Sequence, residues 1–243
     1  MKKAETFDVR ITSVRLIAPA VREIIFERVD GCAVDFEPGQ WINLVLPLPT
    51  GEIRRAYSIA SAPDGSNRFE IAVTRVEHGP GSTYLHELTE GAVISAIGPH
   101  GLFTHNSDAL EPGLFVGTGT GVTPLRSMIR AALGHSSVAP LWLLFGVRFE
   151  DDILYRDEMQ TLEKQHPNVR FMVTLSRPGQ TWTGRSGYVQ NHVPGLLREL
   201  ETQSGATPHV FVCGLERMVK TVRELCRGEL GVDRKRIHTE RYD

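Results

Sequence analysis

One stretch constrains this chain more than any other: Gly117-Thr118-Gly119-Thr120-Gly121-Val122-Thr123-Pro124. It follows a short apolar run, Leu114-Phe115-Val116, and precedes Leu125-Arg126-Ser127-Met128-Ile129-Arg130-Ala131-Ala132-Leu133. In that second run Leu125, Met128, Ile129, Ala132 and Leu133 fall at i, i+3, i+4, i+7 and i+8, which is one face of a helix. Thr123 suits an N-cap and Pro124 the first helical turn. The pattern predicts a strand, a tight turn and a helix. Glycine lets backbone N–H groups approach a ligand with no Cβ in the way, and a helix N-terminus favours negative charge. The stretch reads as a phosphate cradle. The other reading is a turn that merely needs positive φ.

The common dinucleotide fingerprint, G-x-G-x-x-G, does not fit. Started at Gly117 it needs a glycine where Val122 stands, and started at Gly119 it needs one where Pro124 stands. The acidic residue that would hold a ribose hydroxyl is also missing. The next strand ends in Phe145-Gly146-Val147-Arg148, and acids appear only from Glu150 onward.

The bulk numbers exclude several classes. A chain of 243 residues forms one large domain or two of about 120. Its 41% hydrophobic and 23% charged residues describe an ordinary globular protein, and a net charge of −2 argues against nonspecific nucleic-acid binding. Cys32, Cys213 and Cys226 are an odd number, widely spaced, with no C-x-x-C pair. That argues against a disulfide framework, and it leaves no thiolate set for an iron–sulfur cluster or a zinc site. Behind Lys2 and Lys3 there is no apolar segment of signal-peptide type, and Leu141 to Phe145 is too short to span a bilayer. The expectation is a soluble, cytoplasmic protein without a membrane span or a metal.

From Phe7 to about Phe103 the apolar pattern has period two. Phe7, Val9, Ile11, Val14 and Leu16 predict an opening strand with an irregularity near Thr12-Ser13. Val21–Val29, Gln40–Leu46, Arg54–Ile59, Phe69–Val76 and Ala92–Ile97 predict further strands. Many short strands with turn signals at this spacing predict a closed antiparallel barrel. Within Arg54-Arg55-Ala56-Tyr57-Ser58-Ile59, Arg55 and Tyr57 share one strand face and Ser58 points to the other. A guanidinium beside an aromatic ring suits phosphate binding and stacking, and equally suits a solvated surface strand. Gly81-Ser82-Thr83 opens a short helix carrying Tyr84, Leu85 and Leu88, which is an anion site or simply a capped helix.

Four motifs now stand in order: Arg55-x-Tyr57-Ser58, Gly81-Ser82-Thr83, Gly98-Pro99-x-Gly101-x-Phe103 and Gly117-Thr118-Gly119-x-Gly121-x-Thr123-Pro124, with Cys213-Gly214 to follow. Together they resemble the ferredoxin–NADP⁺ reductase superfamily over most of the chain. The resemblance implies a flavin-binding antiparallel β-barrel, residues 1–110, followed by an α/β parallel-sheet domain for NADP(H), residues 111–243. It implies that Arg55, with Ala56 beside it, contacts the flavin pyrophosphate. Tyr57 would stack on the isoalloxazine, Ser58 would sit near flavin N5, and Ser82 and Thr83 would hold the pyrophosphate. A pyrophosphate site favours FAD, although FMN occurs in relatives.

In the second half Glu111-Pro112-Gly113 reads as a linker. Predicted strands at Leu114–Val116, Leu141–Phe145, Val169–Leu175, His209–Cys213 and Arg236–Thr239 alternate with predicted helices at Pro124–Leu133, Ile153–Glu163, Pro194–Leu200 and Glu216–Arg227. Such alternation means a parallel sheet covered on both faces, with ligands beyond the strand C-termini. Gly117, Arg148, Ser176-Arg177 and Cys213-Gly214 all lie at such ends. A hydroxyl and guanidinium with no acid nearby suit a dianionic phosphate. The resemblance makes Ser176, Arg177 and Arg185 the receptor for the 2′-phosphate of NADP, favoured over NAD. It also sets Cys213-Gly214 beside the nicotinamide, assigns Glu240 to the same network, and puts Tyr242 over the flavin face opposite Tyr57. The other reading of Cys213 is a core residue, and of Glu240 and Tyr242 a solvated tail.

The implied activity is hydride transfer between NADP(H) and flavin, coupled to single-electron transfer with a separate ferredoxin or flavodoxin. Ser58, Cys213 and Glu240 serve that chemistry by orientation and hydrogen bonding. One alternative is the reductase component of an oxygenase or larger redox complex, with Arg54-Arg55 and Arg234-Lys235-Arg236 as docking charges. Another is a flavin-binding sensor that does not turn over, which would be expected to show a damaged nucleotide site.

Overall fold

The computed structural model describes residues 5–242. The period-two half forms β1 (Glu5–Ala18), β2 (Val21–Arg28), β3 (Trp41–Leu48), β4 (Gly51–Ser58), β5 (Arg68–Thr74) and β6 (Val93–His100), with α1 (Pro80–Glu87) between the last two. The strand order is β4-β3-β6-β1-β2-β5, with every pairing antiparallel. Phe7, Val9 and Ile11 all turn inward and are buried, each stabilising the fold by about 1.5–3 kcal/mol. The expected irregularity is a register shift between Ile11 and Ser13. The sheet curls until its two end strands approach. Just past β4, the Ala60 N–H donates to the Glu70 carbonyl of β5 at 2.7 Å. The expected barrel is therefore a curled sheet closed at its seam by this bond, with no β4–β5 ladder among the described residues. α1 packs Leu85 into the barrel core, and Arg22 donates to the carbonyls of Leu85 and His86 at its C-terminal end.

The second half forms β7 (Gly113–Thr118), α2 (Val122–Gly134), β8 (Leu141–Val147), α3 (Arg156–Gln165), β9 (Val169–Leu175), β10 (Arg185–Ser186), α4 (Val193–Ser204), β11 (His209–Leu215), α5 (Glu216–Gly228) and β12 (Ile237–Tyr242). These strands make a parallel sheet in the order β10-β9-β8-β7-β11-β12. Phe115, Leu143 and Phe145 face Leu125, Met128, Ile129 and Met159 of α2 and α3. Leu114, Val116, Trp142 and Leu144 face Val193, Leu196, Val219 and Val222 of α4 and α5. Burial on both faces explains why these strands are apolar almost throughout. The chain steps outward from β7 through β10 and then returns to the other side of β7 with β11. That reversal opens a crevice at the C-terminal ends of β7 and β11, the usual ligand position in such sheets.

Two local expectations are corrected, and one short strand is added. Thr123 is not the N-cap of α2. Gly121 is, and the Thr123 hydroxyl donates to the Thr120 carbonyl at 2.8 Å, tying the turn to the first helical residues. α3 starts at Arg156 rather than Ile153, because Tyr155 is left-handed at φ 56° and Ile153 and Leu154 are buried in the turn before it. β10 was not expected, since two residues carry no periodicity.

Candidate functional site

The crevice is built by register. Gly117 on β7 lies beside Cys213 on β11, and Cys213 lies beside Glu240 on β12. Above them runs the turn from Thr118 to Gly121. A Cβ on Gly121 would come within 2.3 Å of the Cys213 carbonyl oxygen, so only glycine lets the turn sit on the end of β11. Gly119 is different: it adopts φ 53° with nothing near its missing Cβ. Gly119 thus realises the turn that needs positive φ, and Gly121 the need for close packing of the turn on β11. The Thr118 hydroxyl is buried without a protein partner. An orphaned buried hydroxyl costs about 1–3 kcal/mol, which a ligand oxygen can recover. The turn therefore fits a bound phosphate.

Four side chains from both halves of the chain meet below this turn. The Tyr242 hydroxyl donates to Ser58 Oγ at 2.5 Å, and Ser58 Oγ donates to Glu240 Oε2 at 3.2 Å. Thr123 Oγ1 and Tyr242 Oη lie 3.4 Å apart. Ser58 ends β4 of the barrel, whereas Glu240 and Tyr242 belong to β12 of the sheet. Burial raises the Glu240 carboxyl to about 7, outweighing the Ser58 hydrogen bond. Burial, reinforced by Glu240, pushes the Cys213 thiol well up, so Cys213 stays a neutral thiol. Tyr242 is likewise raised by burial.

On the barrel side, Tyr57 is half-buried against the barrel core, and burial raises its phenol to about 12. Arg55 is exposed, and its stem lies against the start of α1, where a Cβ on Gly81 would come within 3.1 Å of Arg55 Cγ. Arg55 therefore adjoins Gly81, in the first turn of the helix that carries Ser82 and Thr83. The Ser82 hydroxyl is already engaged: it accepts from the Val76 N–H at 3.1 Å and donates to the Gly79 carbonyl at 3.0 Å. What this segment offers an anion is its first-turn N–H groups and the Thr83 hydroxyl. A guanidinium, helical N–H groups and a half-buried ring fit the flavin and pyrophosphate of FAD.

At the outer end of the crevice the Ser176 N–H donates to the Val147 carbonyl at 3.0 Å, and the Arg177 N–H to the Arg148 carbonyl at 2.9 Å. Arg148 and Arg177 are both exposed there. Arg185 pairs with Thr174 on the neighbouring strand, but it lines a separate recess of about 250 Å³ with His192 and Glu199 beside α4. The structure brings Ser176 and Arg177 together and sets Arg185 one strand away. Sequence reasoning missed Arg126, which is 3% exposed where the two halves of the chain meet. Its spacing within α2 carries no signal of that burial.

Comparison with known proteins agrees with this layout. Residues 8–105 match the oxidoreductase FAD-binding domain and residues 115–224 the oxidoreductase NAD-binding domain. Ferredoxin–NADP reductase B of Sorangium cellulosum is 62% identical over 244 residues, covering 100% of each chain. The chain belongs to the ferredoxin–NADP reductase family. It is an FAD-binding oxidoreductase with a second, nucleotide-binding sheet. A more distant relative, stachydrine N-demethylase reductase subunit Stc4 of Rhizobium meliloti, is 30% identical over 93% of this chain, which spans 63% of that protein. Among solved structures, the Amycolatopsis cytochrome P450 reductase GcoB superposes at a TM-score of 0.85 with 26% identity, over 98% of this chain and 70% of that one. The ferredoxin–NADP⁺ reductase of Plasmodium falciparum shares the fold at a TM-score of 0.82 and 21% identity, over 98% and 97%. Among the described residues no helix is long and apolar enough to cross a membrane.

Proposed function

We propose that this chain is a ferredoxin–NADP⁺ reductase, exchanging electrons between NADP(H) and a separate one-electron carrier through bound FAD. The observation that carries the reading is the meeting of Ser58 from the barrel with Glu240 and Tyr242 from the sheet, beside Cys213 and the glycine turn. FAD held here would supply the exchange between electron pairs and single electrons, chemistry that no side chain here supplies. Arg55, Ala56, Gly81, Ser82 and Thr83 hold its pyrophosphate, and Tyr57 covers one ring face. Tyr242 covers the other by turning away from Ser58. Gly117, Thr118, Gly119, Gly121, Thr123 and Pro124 receive the pyrophosphate of the nicotinamide nucleotide. Cys213 and Gly214 border the nicotinamide, and a neutral thiol there excludes water without reacting. Ser58 places a hydroxyl at the meeting point, and Glu240 decides where its proton points. We place the boundary between the two domains at residues 110–111.

The carrier is a separate protein in this reading, because three dispersed cysteines are too few for a four-thiolate cluster within the chain. Ferredoxin is the acceptor that the 62% identical relative points to. The demethylase reductase likeness supports a second reading, in which the acceptor is an oxygenase component. Anaerobic NADPH should bleach the visible absorbance of the FAD-loaded protein, and ferredoxin should restore it. An unbleached spectrum removes the proposal. Restoration only by an oxygenase component selects the second reading.

Nucleotide choice is assigned to Ser176 and Arg177, with Arg185 adding charge from the next strand. No acidic residue interrupts the segment from Thr174 to Ser186. A charge-assisted hydrogen bond is worth about 1.5–3 kcal/mol, and reversal adds repulsion. Arg177→Glu should lower kcat/KM for NADPH about a hundredfold and change the value for NADH less than threefold. Equal effects on both nucleotides would remove Arg177 from the 2′-phosphate site.

A further inference from the structure

A buried charge bridges the two halves of the chain where the helices of the parallel sheet meet the barrel. Arg126, in the second turn of α2, is 3% exposed. Its Nη1 donates to the Ala60 carbonyl at 2.8 Å and to Glu70 Oε2 at 2.6 Å, both in the barrel half. Its Nε donates to Glu158 Oε2 of α3 at 2.9 Å, and its guanidinium lies 4.3 Å from the centre of the Tyr155 ring. Glu158 is also held by Arg130 at 3.4 Å. The next residue repeats the contact: Ser127 Oγ donates to the Ser61 carbonyl at 2.6 Å. Two consecutive residues of α2 thus hold two consecutive carbonyls of the barrel.

Their place in the chain gives these contacts meaning. Ala60 is two residues after Ser58, and its own N–H makes the seam bond to Glu70. Arg126 follows Val122, the first residue of α2, by about 6 Å of helix. The end of α2 that begins at the glycine turn is therefore bolted to the end of the strand that presents Ser58. A buried ion pair is weak evidence of a stabilising role, because desolvation offsets most of its attraction. A fork that satisfies acceptors in both domains does fix their relative placement.

We propose that Arg126 is a positioning residue that sets the spacing between the nicotinamide and the flavin by locking α2 to residues 60–70 of the barrel. It touches neither cofactor. The inference rests on the placement of the flavin at Ser58 and of the nucleotide at the glycine turn. Displacing reacting groups by about 1 Å can slow a reaction a hundredfold.

The test uses the FAD-loaded protein with Arg126→Met/Glu70→Gln, which removes the fork without stranding the Glu70 charge, and with Arg126→Lys, which keeps the charge but not the fork. Stopped-flow reduction by NADPH should show the limiting rate lowered 10- to 100-fold in the double variant and about fivefold in Arg126→Lys. The Kd for NADPH should stay within threefold of wild type, and the primary isotope effect with 4-deuterated NADPH should rise. Hydrogen exchange should quicken at the amides of residues 59–62 and 122–128 and stay unchanged in β1 and β6. A lower melting temperature with a wild-type limiting rate and isotope effect overturns the proposal and leaves a purely structural contact. Arg126→Lys decides the matter by the same readouts if the double variant does not fold. A wild-type protein that NADPH fails to bleach sinks the functional reading instead, so the two failures are distinguishable.

Discussion

Replacing Gly121 with alanine should lower kcat/KM for NADPH at least a hundredfold while FAD stays bound in equal ratio. The new Cβ would stand 2.3 Å from the Cys213 carbonyl oxygen, 2.6 Å from its carbon and 2.7 Å from the Gly214 Cα. These are backbone atoms, so no side-chain rotation relieves the clash. The turn must lift from β11, or β11 must shift against β7 where Cys213 pairs with Gly117. Either movement opens the crevice at the point where the pyrophosphate and nicotinamide are proposed to lie. Overpacking of this kind destabilises by about 1–3 kcal/mol, so the chain should still fold. Gly134→Ala, at the far end of α2, is the control: it adds a Cβ into open space away from the crevice. Steady-state kinetics with both nucleotides and a flavin-to-protein ratio separate the cases. If Gly121→Ala retains the activity of Gly134→Ala, the tight approach of the turn to β11 is irrelevant to catalysis.

What the sequence disclosed, and what it hid, follows from how far each signal reaches. Periodicity reports a residue's own element and the core that element covers. It located α2 from Leu125, Met128 and Ile129, and the sheet from the apolar runs ending at Gly117 and Cys213. Motif order singled out Arg55, Tyr57 and Ser58 as candidates, and strand-end position did the same for Ser176-Arg177. Arg126 was hidden because the surface burying it belongs to the other domain, 66 residues away at Ala60. Tyr155 was hidden because its left-handed backbone is a tertiary compromise, with its ring under Arg126 and its neighbours Ile153 and Leu154 in the core. The cluster of His105, edge-on to Phe211, with His238 stacked on Phe211 and its Nε2 3.0 Å from His209 Nδ1, was hidden for the same reason. Phe211 and His238 meet through β11–β12 pairing, and His105 reaches Phe211 from the segment after β6. Thr123 was misjudged because the extra turn at Gly119–Gly121 lets the helix begin earlier than its capping residue suggests.

Ser58→Ala should reduce the limiting rate of flavin reduction by about a hundredfold or more, the scale of one positioned proton-donating or proton-accepting group. The alanine removes the hydroxyl that hydrogen-bonds Glu240 at the meeting of the two halves. Glu240→Gln tests what directs that hydroxyl. An ionised Glu240 draws the Ser58 hydroxyl proton toward itself. A protonated Glu240 can donate to Ser58 Oγ, which frees the Ser58 proton to turn toward the cleft. Since burial raises this carboxyl to about 7, the wild-type rate should fall as pH rises through about 7. Glutamine holds the donating arrangement at every pH, so that limb should vanish. Stability follows the same proton with a definite sign. The folded carboxyl binds its proton more tightly than the unfolded one, so no charge is buried below pH 4.5, and the penalty grows until pH passes about 7. A rise from 4.5 to about 7 corresponds to about 3 kcal/mol in the flavin-free protein. Glu240→Gln should therefore melt higher than wild type at pH 8 and alike at pH 4.5. A kinetic limb near pH 7 that survives in Glu240→Gln would belong to another group, and an equal melting temperature at pH 8 would place Glu240 in solvent.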